Sequence, residues 1–104
     1  MGGQKAVVVD QIARSLSIPM PPMSIGSTEP KSILVAVSDV LGLGLDQNLS
    51  KPLLAERICR AAGLDWDRTC WSTGSTVTLI GLRRVLTSVR VLTGEQENLE
   101  LFEG

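Results

Sequence analysis

The sequence predicts an all-α fold: a small bundle of four main helices forming two tandem helix-loop-helix units, with room for a short extended segment around a tryptophan loop. Three observations carry this. Hydrophobic residues make up 43% of the chain, yet Phe102, Trp66 and Trp71 are its only aromatics and Tyr and His are absent. An aliphatic supply of that kind suits helix packing better than a sandwich or barrel. Apolar residues recur at helical spacing in four stretches separated by Pro and Gly, and parts of the chain resemble each other at a nearly fixed offset. At 104 residues there is material for one modest core and one domain.

The first helix spans residues 5–16, with Val8, Val9, Ile12, Ala13 and Leu16 on one side and Lys5, Gln11, Arg14 and Ser15 mostly opposite. Pro19, Pro21 and Pro22 cannot continue it, so an extended connector follows. Thr28 then reads as an N-cap, with Glu29 and Pro30 in the first turn of a second helix that carries Ile33, Leu34, Val37, Val40 and Leu41 inward and ends at Gly42 and Gly44. Ser50 caps a third helix with Pro52 in its first turn and Leu53, Leu54, Ile58, Cys59 and Ala62 inward, and Gly63 stops it. Residues 65–74 have no periodicity and read as a loop or short extended excursion. The fourth helix opens near residues 75–78 and runs to about residue 92 on a stripe of Leu79, Leu82, Val85, Leu86 and Val89. Gly81 inside it costs up to about 1 kcal/mol relative to Ala and marks close approach by another helix or a backbone.

Asp10-Gln11-Ile12-Ala13-Arg14-Ser15-Leu16 matches Glu56-Arg57-Ile58-Cys59-Arg60-Ala61-Ala62 at an offset of 46, and Ser24-Ile25-Gly26-Ser27-Thr28 matches Ser72-Thr73-Gly74-Ser75-Thr76 at an offset of 48. The order helix, loop, Ser-x-Gly-Ser-Thr, helix thus occurs twice. The expected organisation is one helical domain over residues 1–94, with units of about 4–45 and 50–94. An acidic tail over 95–104 either frays or docks a short turn through Leu99, Leu101 and Phe102.

The composition narrows the function classes. Without His the chain lacks the commonest general base and metal ligand, and no catalytic signature replaces it, so an enzyme acting alone is not expected. Cys59 and Cys70 have no C-x-x-C partner; free thiols and a disulfide between them are both open. Asp65 and Asp67 lack a third ligand, and no metal or cofactor is implied. No secretory leader and no apolar run of membrane-spanning length is present, so the expected compartment is the cytoplasm. The net charge of -1 conceals an asymmetry. Glu95, Glu97, Glu100 and Glu103 fall in the last ten residues, and the first 94 carry ten basic against seven acidic residues, a net +3 compatible with a polyanionic partner.

Three groups of residues could meet such a partner. A Ser-x-Gly-Ser-Thr segment opening a helix offers hydroxyls and a partial positive charge, through Ser27 and Thr28 beside Lys31 in one copy and Ser75, Thr76 and Thr78 in the other. Plain N-capping needs no ligand and explains the same residues, while Lys51 adds a cation at the third helix. On the fourth helix Arg83 and Arg90, seven apart, share a face with Thr87 that Arg84 partly joins, as a recognition helix would; a solvated surface is the alternative. Trp66 and Trp71 either stack on an unpaired or flipped base or cover a small core.

At Gly26-Ser27-Thr28-Glu29-Pro30-Lys31, Leu41-Gly42-Leu43-Gly44-Leu45-Asp46, Leu49-Ser50-Lys51-Pro52 and Ser72-Thr73-Gly74-Ser75-Thr76-Val77-Thr78-Leu79-x-Gly81-Leu82 the chain resembles an N-terminal region of some bacterial restriction endonucleases, over roughly residues 8–92. The resemblance implies a DNA-recognition module placed ahead of a nuclease domain that this chain does not carry. Residues 50–58 also look like the first helix of a SAP-type DNA-binding hairpin. The resulting expectation is a DNA-binding specificity module reading plain or modified bases. Its rival is a protein-protein interaction or assembly domain, with Met20, Met23, Trp66 and Trp71 forming an apolar surface.

Overall fold

The computed structural model describes residues 3–19, 31–72 and 76–94. Within them the chain forms α1 (Gly3–Ser15), α2 (Lys31–Leu41), α3 (Lys51–Ala61), a single 3-10 turn (Arg68–Cys70), a ribbon of β1 (Trp71–Ser72) and β2 (Thr76–Val77), and α4 (Leu79–Thr93). The four-helix bundle therefore stands, but the fold is not purely helical. The two strands pair antiparallel, with Trp71 opposite Val77 and Ser72 opposite Thr76. The connector through Met20 and Met23, the residues Ser27, Thr28 and Ser75, and the acidic tail lie outside the described residues.

Each helix buries the aliphatic stripe that its spacing sets up. Val8, Val9, Ile12 and Ala13 of α1, Ile33, Leu34 and Val37 of α2, Leu54, Ala55, Ile58 and Cys59 of α3, and Leu82, Val85, Leu86 and Val89 of α4 form one core. Fully burying such a side chain is worth about 1.5–3 kcal/mol, so packing rather than helix propensity holds these short helices. α4 packs along α1 and α3, and α2 lies against α3. Two expected core positions point outward instead, Val40 at 50% and Leu53 at 40% exposed. Each sits at the margin of its stripe, and the neighbouring helices cover Val37 and Leu54 instead.

The helix ends are local chemistry. α1 and α3 close in the same way: the second residue past the end takes positive φ (Ser17 at 57°, Gly63 at 79°), and the next amide reaches back five residues, Ile18 N–H to the Ala13 carbonyl at 3.0 Å and Leu64 N–H to the Cys59 carbonyl at 2.9 Å. That is a Schellman closure, with Ile18 and Leu64 packed against the core. After α2 the buried Ser38 hydroxyl accepts the Leu45 amide at 3.0 Å and so fixes the turn toward α3. Ser50 occupies the N-cap of α3, with Pro52 in the first turn, but its side chain makes no cap hydrogen bond.

The stretch read as a loop is ordered by its polar groups. The Asp67 carboxylate caps the 3-10 turn, accepting the Thr69 amide at 3.0 Å and the Thr69 hydroxyl. Thr78 N–H donates to the Cys70 carbonyl at 3.0 Å and the Thr78 hydroxyl to the Thr69 carbonyl at 2.6 Å, which seats β2 beside the turn. α4 consequently starts at Leu79, and the β-branched Thr76 and Val77 belong to a strand rather than a helix N-terminus. Gly81 has the close approach that its position suggests: a Cβ there would collide with the Cys70 carbonyl oxygen and lie 2.7 Å from Val77 Cγ1.

Candidate nucleic-acid interface

α4 fixes the candidate residues because its buried stripe turns Arg83 and Thr87 outward. With Leu82, Val85, Leu86 and Val89 in the core, Arg83 and Thr87 are exposed and Arg90 is half-buried at the edge of the same face. Seven residues of helix separate Arg83 from Arg90, about 10 Å along the axis. Across from them α1 presents Gln4 and Gln11, also seven apart, and these residues with Val7, Val8 and Leu86 line one cleft between α1 and α4. Among the described residues no carboxylate lines it.

Arg84 points elsewhere. Its Nη1 donates to the Asp65 carbonyl at 3.0 Å and to Asp67 Oδ2 at 3.2 Å, so it braces the loop before the 3-10 turn and is only 28% exposed. The bonds from the Thr69 side chain and from Arg84 hold the Asp67 carboxyl at about 2, well below its ordinary 3.8. Arg83, Arg84 and Thr87 line a second cleft with Leu64, Asp65, Asp67 and Ile80. A third cleft, on the far side of Asp67, is lined by Trp66, Trp71, Arg68, Pro52, Leu53 and Glu56 among others. The Arg68 guanidinium lies 4.2 Å from the Trp71 ring centroid and donates to the Trp71 carbonyl at 2.8 Å.

Set against the expectations, Arg83, Thr87 and Arg90 come together, and Trp66 and Trp71 share a cleft. Arg84 is diverted into the fold. Thr78 does cap α4, but its hydroxyl is spent on the Gly81 amide, at 3.2 Å, and the Thr69 carbonyl. Thr76 lies in β2, not at a helix N-terminus, and of the second hydroxyl-rich segment Ser75 is outside the described residues. Lys31 and Lys51 head α2 and α3 and line none of the three clefts. Sequence reasoning missed Gln4 and Gln11, whose seven-residue spacing on the outer side of α1 was the available signal, and Arg68, whose stacking depends on the turn that places it.

Both cysteines are free and buried, and burial raises the Cys59 thiol to about 11. Among the described residues no group of three or more His, Cys, Asp or Glu could hold a metal ion, and no helix is long and apolar enough to cross a membrane. Comparison with protein-family models, curated proteins and solved structures gives no match.

Proposed function

We propose that the chain is a DNA-binding specificity module that lays the outer face of α4 against a duplex. The observation that carries this is the cleft in which Arg83, Thr87 and Arg90 face Gln4 and Gln11, with no carboxylate among the described residues that line it. Arg and Gln are the side chains best suited to bidentate contacts with guanine and adenine edges, and Arg also neutralises phosphates. A separation of about 10 Å spans roughly three base-pair rises along the duplex axis. The resemblance to the N-terminal region of restriction endonucleases points the same way, toward a module that supplies specificity to a nuclease domain.

We also read the chain as two tandem units, of about residues 4–45 and 50–94. Support comes from the matching ends of α1 and α3, where Ser17 and Gly63, and Ile18 and Leu64, stand 46 residues apart. The i,i+4 ion pairs Arg14 with Asp10, at 2.8 Å, and Arg60 with Glu56, at 2.9 Å, repeat at the same offset. At the offset of 48 the positions of Arg83, Thr87 and Arg90 correspond to Val35, Asp39 and Gly42, so the basic face belongs to the second unit alone. Recognition is then asymmetric, with the first unit serving as scaffold and contributing α1.

The rival reading, a protein-interaction domain, draws on the exposed Val7, Val40, Leu53 and Ile80. Val7, Leu53 and Ile80 line three different clefts rather than one apolar patch, and this ranks the rival second. Fluorescence anisotropy of short duplexes, plain and methylated, at about 50 and 200 mM salt separates the two. Binding that weakens with salt and is lost in Arg83→Ala/Arg90→Ala but kept in Arg84→Ala is the expected outcome. No binding to any duplex at the lower salt would refute the DNA reading.

A further inference from the structure

We propose that the tryptophan cleft receives a single nucleobase swung out of the DNA held along α4, and that Glu56 makes it favour an amino-bearing base such as cytosine over thymine. This rests on the DNA reading above. Continuity of the surface is the first argument. Arg83 and Thr87 line both the cleft between α1 and α4 and the next one, and Asp67 lines both that second cleft and the tryptophan cleft. The three clefts therefore adjoin one another in order, from the arginines of α4 to the two indoles.

The second argument is the make-up of the cleft. Its volume of about 490 Å³ lies within the range of small-molecule sites. Trp66 packs against the core while lining the cleft, and Arg68 holds Trp71 through its ring face and its carbonyl. Both indoles are thus ordered before any base arrives, and stacking on a fixed aromatic surface loses less conformational entropy than stacking on a mobile one.

The carboxylates supply selectivity. Asp67 is already engaged, Oδ1 with Thr69 and Oδ2 with Arg84. Glu56 also lines the cleft, and its Oε2 accepts from Arg60 Nε at 2.9 Å. A carboxylate oxygen only accepts, so it pairs with the exocyclic amino group of cytosine and repels the carbonyl that thymine carries at the same place.

The chain has two tryptophans and no tyrosine, so its intrinsic emission reports on this cleft alone. The test titrates short duplexes carrying one bulged cytosine, one bulged thymine or no bulge, reading anisotropy and tryptophan emission together. The cytosine bulge is expected to quench emission and to bind about five-fold more tightly than the thymine bulge, a preference that Glu56→Ala removes. Equal affinity and equal emission for all three duplexes, with binding still dependent on Arg83 and Arg90, overturns the base proposal and leaves the DNA reading standing. Loss of all duplex binding overturns both.

Discussion

At Gly81 the backbone of α4 touches the carbonyl of Cys70, and any side chain there would force the ribbon off the helix. Gly81→Ala gains up to about 1 kcal/mol of helix propensity. It is nevertheless expected to destabilise the protein by about 1–3 kcal/mol through overpacking, as a thermal or urea melt would record. Asp67 is the other residue on which the site depends. Its folded pKa, about 2, lies below its ordinary 3.8, so the unfolded chain binds the proton more readily. The stabilisation is then complete above about pH 4 and disappears as pH falls through 2. Melting curves of wild type and Asp67→Asn should differ at pH 6 and converge as the pH drops from 4 to 2; a constant gap would show that Asp67 acts through something other than its charge. Among single residues, the closeness of Gly81 to a backbone was legible in the sequence, since a glycine inside an aliphatic helix has few other uses. The diversion of Arg84 to Asp67 was not, because its partner is seventeen residues away on a turn that the sequence presents as irregular.

At the scale of elements, two helix starts with similar sequence signals behave differently. Ser50 and Thr78 both occupy N-caps, but only the Thr78 hydroxyl is engaged, accepting from Gly81 and donating to Thr69. Thr78→Ala is therefore expected to cost about 1–2 kcal/mol and Ser50→Ala less than about 0.5 kcal/mol in a paired denaturation experiment. Equal losses would mean that the cap geometry carries no such distinction. The four helices were legible because aliphatic spacing is a local property and Pro and Gly mark the breaks. Of the ribbon, the sequence allows an extended segment beside the tryptophans, but the second strand at Thr76 and Val77 was not legible: strands of two residues are too short for a period to show, and Thr78 seats this one by reaching back to Thr69 and Cys70. Val40 and Leu53 show the limit of the periodic argument, since a stripe drifts around the helix and only packing decides which edge is covered.

Taken as a whole, the described residues place two adjoining clefts along the outer side of α4 and a third, the tryptophan cleft, beyond Asp67, and the formal charge of -1 gives no hint of this arrangement. Half of the candidate site followed from spacing within one helix, as with Arg83, Thr87 and Arg90. The half contributed by Gln4, Gln11, Arg68 and Glu56 needed the packing of α1 and α3 around α4, which no local pattern encodes. The central claim is that Arg83 and Arg90 meet the phosphates or base edges of a duplex while Arg84 serves the fold. The measurement that tests it most directly is the slope of log affinity against log salt for a short duplex, in wild type, Arg83→Ala/Arg90→Ala and Arg84→Ala. If both arginines displace counterions, the slope should shrink by about 2 in the double variant and stay unchanged in Arg84→Ala. An unchanged slope in the double variant, or an equal loss in Arg84→Ala, would contradict the account.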